Sequence, residues 1–166
     1  DYTNKRTFEE FTPRVSLSYE ASEQVNVYAP YSRGFKSGGF DMRGDATATP
    51  ATKDGYDSEI VDSYEIGLKG AFLDNSLRVN AALFYADYQG FQAPLRVIIS
   101  GSTTGTQFLN LDARNWGVEL EGQWAPIDNL MIFGSYAYIN AEVSNGCCFV
   151  DVNDPTVDGN RRIVRD

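Results

Sequence analysis

Two glutamates, Glu119 and Glu121, are the residues of this chain best suited to acid–base chemistry. Side chains two positions apart on a strand share a face, and a carboxylate pair on one face is the arrangement that glycoside hydrolases use. The 166-residue sequence contains no His, which excludes an imidazole base, a Ser-His-Asp triad and a His-ligated metal within this chain. The two glutamates are better explained as ordinary polar residues on the water-facing side of a strand. We therefore predict that the chain is not an enzyme and has no catalytic residues.

Two other segments resemble ligand-binding loops in composition, but each lacks a feature that such a loop requires. Gly34, Gly38 and Gly39 flank Lys36 as in a phosphate cradle, yet a cradle needs a helix directly after its glycines, and acidic and small residues follow here. The acidic segment 151–160 has some of the spacing of a calcium loop, but Pro155 occupies a ligand position and no Glu closes the loop. We predict neither a metal nor a cofactor.

The adjacent thiols of Cys147 and Cys148 allow two interpretations. Either they form a vicinal disulfide that acts as a rigid or redox-sensitive clip, or each pairs with a different cysteine. Bridging neighbours strains the ring and the peptide between them. We therefore favour the second interpretation.

The elements that position all these residues are strands. Six segments hold nine-residue frames in which every second side chain is apolar or aromatic, while polar residues such as Glu65 and Lys69 lie between them. Eight steps of strand at a tilt of about 40° give a height of roughly 20 Å, close to the apolar band of an outer-membrane barrel. The sequence thus predicts membrane strands at about 11–20, 25–35, 60–73, 77–90, 115–125 and 130–143.

Aromatic side chains lie near the ends of these frames, where interfacial girdles of membrane barrels are found. A soluble sandwich would also alternate, but it has no reason to keep one frame length in six strands or to end the frames with large rings. The predicted lipid-facing girdle consists of Tyr19, Tyr31, Tyr64, Phe72, Tyr85, Trp116, Trp124 and Tyr138.

The connections alternate between short and long. Short turns at 21–24, 73–76 and 126–129 are rich in Asx and Ser residues, and long loops are predicted at about 36–58, 90–113 and 144–166. Short periplasmic turns and long extracellular loops are typical of bacterial outer-membrane barrels. Residues 91–99 keep strand character, which indicates strands that project beyond the membrane. We predict an all-β antiparallel meander of about six transmembrane strands that forms an incomplete part of a large barrel.

Charge and loop composition narrow the choice of partners. The formal net charge of −9 repels nucleic acid, so no nucleic-acid partner is predicted. At the start of the first long loop, Arg33 and Lys36 could meet lipopolysaccharide head groups or the rim of the pore. Phe35, Phe40 and Tyr56 could contact an arriving ligand, which makes these five residues the substrate-loop candidates.

Five stretches within residues 8–143 together resemble the barrel of TonB-dependent outer-membrane receptors. They are PRVSLSY at 13–19, YSRGFKSGGF at 31–40, SYEIGLKG at 63–70, AALFY at 81–85 and GVELE at 117–121. The resemblance implies a 22-stranded barrel in the outer membrane of a bacterium, closed by a plug domain and driven through TonB. It also implies import of a scarce substrate such as a ferric siderophore.

Several family parts are not found in residues 1–166, which are expected to be a piece of one barrel domain. The plug, the TonB box and the C-terminal aromatic strand are absent, and Asp1 follows no signal peptide. We expect that this piece alone does not transport. Two alternatives stay open, namely a passive porin-type barrel and a soluble β-sandwich binding module.

Overall fold

The computed structural model describes residues 4–41, 53–100 and 103–143 of the chain. They form one six-stranded sheet in which each strand pairs antiparallel with the next along the chain. The strands are β1 (Arg14–Ser22), β2 (Val25–Lys36), β3 (Glu59–Phe72), β4 (Leu77–Ser100), β5 (Thr103–Ile127) and β6 (Leu130–Val143). The predicted all-β meander is therefore confirmed. In the described ranges, no helix has both the length and the apolar character needed to cross a membrane.

Cross-strand register places the predicted girdle residues near the loop end in one row. Tyr31 lies opposite Tyr64, Tyr64 opposite Tyr85, and Tyr85 opposite Trp116. The rings of Tyr31 and Tyr64 are 5.0 Å apart, and those of Trp116 and Tyr138 are 5.5 Å apart. We call the face that carries this row the outer face. The alternate positions belong to the inner face.

The inner face is polar over much of its area, and its side chains pair across strands. Asn80 donates to Glu121 at 3.4 Å, while the ammonium of Lys69 lies 5.3 Å from the centre of the Tyr28 ring. Tyr28 in turn covers Gly67, whose missing Cβ would lie 2.2 Å from the ring. Glycine at this position lets the Tyr28 ring lie against the backbone, and a side chain there would require the ring to move.

The sheet buries very little. Among the described residues, Ala86 and Leu111 are the buried hydrophobic ones. Leu17, Ile66 and Leu120 on the outer face are exposed. A single layer with an uncovered apolar face needs a medium other than water against that face. The layer therefore differs from the two facing sheets of a β-sandwich.

The two ends of the sheet differ as the turn composition indicated. The β3–β4 turn is tight, with φ of 54°, 54° and 69° at Leu73, Asp74 and Asn75, and Ser76 N donates to Leu73 O at 3.0 Å. Asp and Asn tolerate this left-handed conformation better than most residues. We call the opposite edge, where β2 leads into β3 and β4 into β5, the loop end.

At the loop end, β4 and β5 continue to Ser100 and Thr103 as a paired hairpin. Most of segment 90–113, which the sequence analysis assigned to a long loop, is thus paired strand, in line with the strand character of 91–99. Three other sequence predictions lie outside the described residues. These are the central part of the first loop, the thiols of Cys147 and Cys148, and the third loop with its acidic segment 151–160.

Candidate functional site

The loop end is built from four pieces of chain. The segment 4–13 runs beside the end of β2, where Arg33 N donates to Pro13 O at 2.9 Å. The two described arms of the first loop, 37–41 and 53–58, lie between this segment and the projecting β4–β5 hairpin. Asn4 reaches the arm at Lys53 O, at 2.9 Å, and Asn110 on the hairpin reaches it at Asp57. These pieces position every substrate-loop candidate.

Arg33 is held by a carboxylate on the neighbouring strand. It lies directly opposite Asp62, and its Nε and Nη2 donate to the two carboxylate oxygens at 2.9 Å and 2.7 Å. The Tyr31 hydroxyl donates to the same carboxylate at 2.6 Å. Asp62 is only 6% exposed. A two-point ion pair of this kind fixes the guanidinium geometrically and leaves it little charge for another anion.

The Arg33–Asp62 pair belongs to a row of charges on the outer face. Register continues from Asp62 to Asp87, from Asp87 to Arg114, and from Arg114 to Glu142, with which Arg114 forms an ion pair. On β2 to β5 this charged row lies two residues beyond the aromatic row, and on β6 Glu142 lies four residues beyond Tyr138. Arg33 was a candidate from the sequence, but the other charges of the row were missed, because the frames of β3 to β6 stop at aromatic rings while the same alternation continues to these charges.

The remaining candidates are divided between the two faces. Phe35 lies opposite Ile60 on the outer face, whereas Lys36 lies opposite Glu59 on the inner face. The Lys36 ammonium is 3.6 Å from the Glu59 carboxylate, and its side chain is 63% exposed. Alternation along a strand makes this division unavoidable. Arg33 and Phe35 therefore point away from the face to which Lys36 belongs.

Phe40 and Tyr56 lie on the two arms of the first loop, which pair with each other beside these residues. Gly39 and Tyr56 exchange backbone hydrogen bonds of 3.1 Å and 2.9 Å. The Tyr56 ring stacks on Phe108 of the hairpin, with 4.6 Å between ring centres. Gly55 adopts φ of 73°, and a Cβ on it would lie 3.0 Å from the Phe40 ring. Glycine at this position lets the ring lie against the backbone.

Two amide side chains fasten the loop to the hairpin. Gln92 is 6% exposed, and its Nε2 donates to Ser37 O at 3.0 Å and Asp57 O at 3.1 Å. Asn110 Nδ2 donates to Asp57 O at 2.9 Å and Gly90 O at 2.8 Å, while its Oδ1 accepts from Asp57 N. These bonds satisfy backbone groups of an irregular segment, which would otherwise be costly to bury.

A β-bulge interrupts β4 inside the hairpin. The register passes from Tyr88 opposite Ala113 to Phe91 opposite Leu111, so three steps on β4 match two on β5. The additional residue reverses the alternation, and Phe91 joins Tyr88 on the inner face. The two rings meet edge to face, with 6.1 Å between centres. Neither residue was a sequence candidate, although a Gly inside an alternating pattern is the usual signal of a bulge.

The inner face near the short turns has two contrasting parts. An open depression of about 550 Å³ is lined by polar and charged residues that include Glu20, Lys69, Arg78 and Glu121. Beside it, β6 presents large apolar side chains on the same face: Met131, Phe133 and Ile139 are 51%, 69% and 58% exposed. We call these three residues the apolar strip. In the described ranges, no cluster of His, Cys, Asp and Glu could hold a metal ion.

A sheet with an exposed apolar outer face and a largely polar inner face suits the wall of a membrane barrel. The sequence matches the family model described as TonB dependent receptor-like, beta-barrel, over residues 1–163. The chain belongs to this family. TonB-dependent receptors are outer-membrane proteins, so the predicted location is confirmed and the β-sandwich alternative is wrong.

Individual relatives of this TonB-dependent receptor segment agree with the family assignment. It is 31% identical over 145 residues to the metal-pseudopaline receptor CntO of Pseudomonas aeruginosa, a match that covers 87% of this chain and 18% of that protein. It is 27% identical to the ferric-pyoverdine 358 receptor of Pseudomonas putida over 81% of this chain and 16% of that protein. The chain thus spans less than a fifth of the length of these relatives.

Solved structures show the same fold. The copper transporter OprC superposes with a TM-score of 0.66 at 20% identity, over 79% of this chain and 20% of that chain. The alcaligin receptor FauA of Bordetella pertussis gives a TM-score of 0.55 at 22% identity, over 84% of this chain and 23% of that chain. Outer-membrane barrels have an apolar outer surface and a polar interior, and the two faces of this sheet differ in the same way.

Proposed function

We propose that this chain is part of the barrel of an energised outer-membrane importer whose substrate is a metal complex of an organic chelator, such as a ferric siderophore. Two relatives are receptors for metal-pseudopaline and ferric-pyoverdine, which supports this substrate class. Energy would reach the barrel through its own plug domain and TonB. The alternative is a passive porin-type barrel made of the same kind of strands.

The apolar strip on β6 is the observation that favours an importer over a porin. The lumen of a porin is a polar, water-filled channel. A Phe or Ile side chain left in water forgoes about 1.5 to 3 kcal/mol of burial free energy, and Phe133 and Ile139 both lie on the lumen side of β6. Contact with water is therefore unfavourable for the apolar strip. Contact with a folded domain inside the barrel would bury these side chains and is more favourable.

The polar depression beside the strip suits the same occupant. Glu20, Lys69, Arg78 and Glu121 offer charges of both signs to a protein surface. A folded domain presents apolar and charged groups side by side, whereas a small solute passing through a channel contacts one group after another. This mixture supports contact with a plug domain of the same polypeptide.

On the substrate side, the loop end supports some candidates more than others. Lys36 lies on the inner face, which we propose lines the lumen. Phe40 and Tyr56 lie in the fastened loop, so these three are the better-placed candidates for contact with an arriving metal complex. Arg33 and Phe35 lie on the outer face, where we propose contact with lipid and lipopolysaccharide. The charged row would then lie at the level of the lipopolysaccharide head groups, just beyond the aromatic row.

The test uses the complete gene in its own host. A deletion strain should lose growth on chelated iron and uptake of radiolabelled ferric chelates, and the complete gene should restore both only while TonB is present. Deletion of TonB is the matched control for energy coupling. Uptake that persists without TonB, together with a large steady conductance of the purified protein in planar bilayers, would instead identify a porin.

A further inference from the structure

Tyr88 and Phe91 occupy a distinctive place on the lumen face of the hairpin. Their rings meet at 86°, close to the edge-to-face arrangement that aromatic pairs prefer. Tyr88 lies opposite Val61 on β3, and Phe91 lies opposite Leu111 on β5. Phe91 is 36% exposed, whereas Leu111 is 9% exposed. We call Tyr88 and Phe91 the aromatic corner; it lies beside two apolar side chains on the inner face, and Phe91 is partly open to solvent.

Strict alternation would not produce this corner. Tyr85 and Asp87 lie on the outer face, so without a bulge Phe91 would lie there too. The additional residue between Tyr88 and Phe91 turns the ring inward. Bulges are common at the rims of barrels, where they re-aim a side chain.

The bulge is held by several independent groups. Gly90 has φ of 68°, and a Cβ on it would lie 2.6 Å from Ser58 O. Its N–H donates to Asp112 Oδ1 at 3.2 Å, and its carbonyl accepts from Asn110 at 2.8 Å. With both backbone groups satisfied and any side chain excluded, the bend is a defined feature of the fold. The corner is therefore preorganised for binding.

A cation lies on the same face beside the corner. Gly34 pairs with Val61, which pairs with Tyr88, and Lys36 is the next lumen-facing residue on β2 after Gly34. Glu59 lies opposite Lys36, and its carboxylate accepts the Gln92 N–H at 3.0 Å. Among the described residues, the Lys36 ammonium forms an ion pair with the Glu59 carboxylate at 3.6 Å. An ammonium has three N–H donors, so it can bind a second acceptor besides Glu59.

We propose that Tyr88 and Phe91 bind the aromatic ring of a chelator, and that Lys36 binds its anionic oxygens. A ferric catecholate combines a flat aromatic ring with negatively charged oxygens next to it, and it matches both groups. An aliphatic hydroxamate complex offers no ring to the corner. This assignment rests on the proposed importer function and names its substrate as the catecholate class.

The test measures binding of two probes to the complete purified receptor. The probes are ferric tris(catecholate) and ferric ferrioxamine, an aliphatic trihydroxamate complex, and the readout is quenching of intrinsic fluorescence. Wild type should bind the catecholate complex more tightly. Phe91→Ser and Tyr88→Ser should each weaken that binding about tenfold, because each removes one ring contact. Tyr85→Ser is the matched control, since Tyr85 lies on the outer face of the same strand.

Folding of each variant is checked by the heat-dependent shift of the barrel on a detergent gel. If wild type and both inner-face variants bind the catecholate complex equally well, the aromatic corner does not contact the ligand. That result would refute the assignment but would leave the importer function unaffected. Preference of wild type for the hydroxamate complex also overturns the assignment. Failure to bind either complex, with no TonB-dependent uptake, refutes the importer function as well.

Discussion

Two neighbouring alanines on β4 offer the sharpest test of which face contacts lipid. Ala81 lies opposite Leu120 on the outer face, and Ala82 lies opposite Glu119 on the inner face. Both are partly exposed, and they differ by one residue in sequence. Replacing each in turn with Arg therefore makes the same chemical change at the same depth on opposite sides of the wall.

The depth follows from the register. Ala81 is four residues from Leu77, which pairs with Trp124, and four from Tyr85, which pairs with Trp116. Four steps at about 3.4 Å, tilted by about 40°, put it roughly 10 Å from each aromatic level. Ala81 thus lies close to the middle of the apolar band.

The magnitude follows from that depth. An Arg on the lipid face costs about 2 to 4 kcal/mol at the midplane of a barrel. Ala81→Arg should therefore lower the free energy of unfolding of the complete receptor by about that amount. Ala82→Arg should change it by less than about 1 kcal/mol, because the new guanidinium faces the lumen opposite Glu119.

Denaturant titration of the complete receptor in lipid vesicles measures both values. Equal losses for the two variants would mean that the outer face does not rest on lipid. A larger loss for Ala82→Arg would reverse the assignment of the two faces. Either result would refute the reasoning from alternation and register.

Three further predictions concern the loop end and the strand glycines. Asp62→Asn should lower the free energy of unfolding by about 2 kcal/mol in denaturant titration, because the hydrogen bonds from Arg33 and Tyr31 lose their charged acceptor; an unchanged value would show that the pair contributes nothing. Gln92→Leu removes two hydrogen bonds worth about 1 kcal/mol each, so amide hydrogen exchange in 37–41 and 53–58 should rise roughly thirtyfold, and unchanged exchange would contradict the fastening role. Gly117→Ala should destabilise by about 1 to 3 kcal/mol, since its Cβ would lie 2.4 Å from Tyr138 O. Gly122→Ala, with no described atom within 4 Å of its Cβ, should stabilise by about 0.5 to 1 kcal/mol in the same titration, and equal effects of the two would contradict the packing argument.

The sheet was predictable because its dominant signal is local. Alternation assigns each side chain to a face from its immediate neighbours, and Asx-rich turns such as 73–76 set the spacing between strands. Tyr31, Tyr64 and Tyr85 therefore fell into one row once consecutive strands paired. The antiparallel order followed from short turns, which join neighbouring strands.

The loop end was less predictable because its contacts are distant in sequence. Gln92 Nε2 binds the carbonyl of Ser37, 55 residues earlier, and no local pattern indicates such a partner. Gly90 was ambiguous, since a glycine after an alternating run fits a loop as well as a bulge. The reversal that brings Phe91 to the lumen depends on that distinction.

The candidate residues at the start of the first loop show that composition does not reveal which face of a strand a residue occupies. Composition alone grouped Arg33, Phe35 and Lys36 as one ligand-contacting set, because cations and rings attract many ligands. Odd-numbered and even-numbered positions of a regular strand lie on opposite faces, so Arg33 and Phe35 cannot share a face with Lys36. Because β2 continues to Lys36, Lys36 lies on the inner face while the other two lie on the outer face.

Strand β6 shows where alternation fails as a guide to faces. Its two sets, Ile132 with Tyr138 and Phe133 with Ile139, are both apolar, so the sequence of β6 alone does not assign either set to lipid. Pairing with β5 decides the matter, since Ile139 lies opposite Gly117 and Tyr138 opposite Val118. A strand that is apolar on both faces is normally covered on both. If the outer face contacts lipid as proposed, the apolar side chains on the inner face of β6 support the proposal that a protein domain, and not water, lies against them.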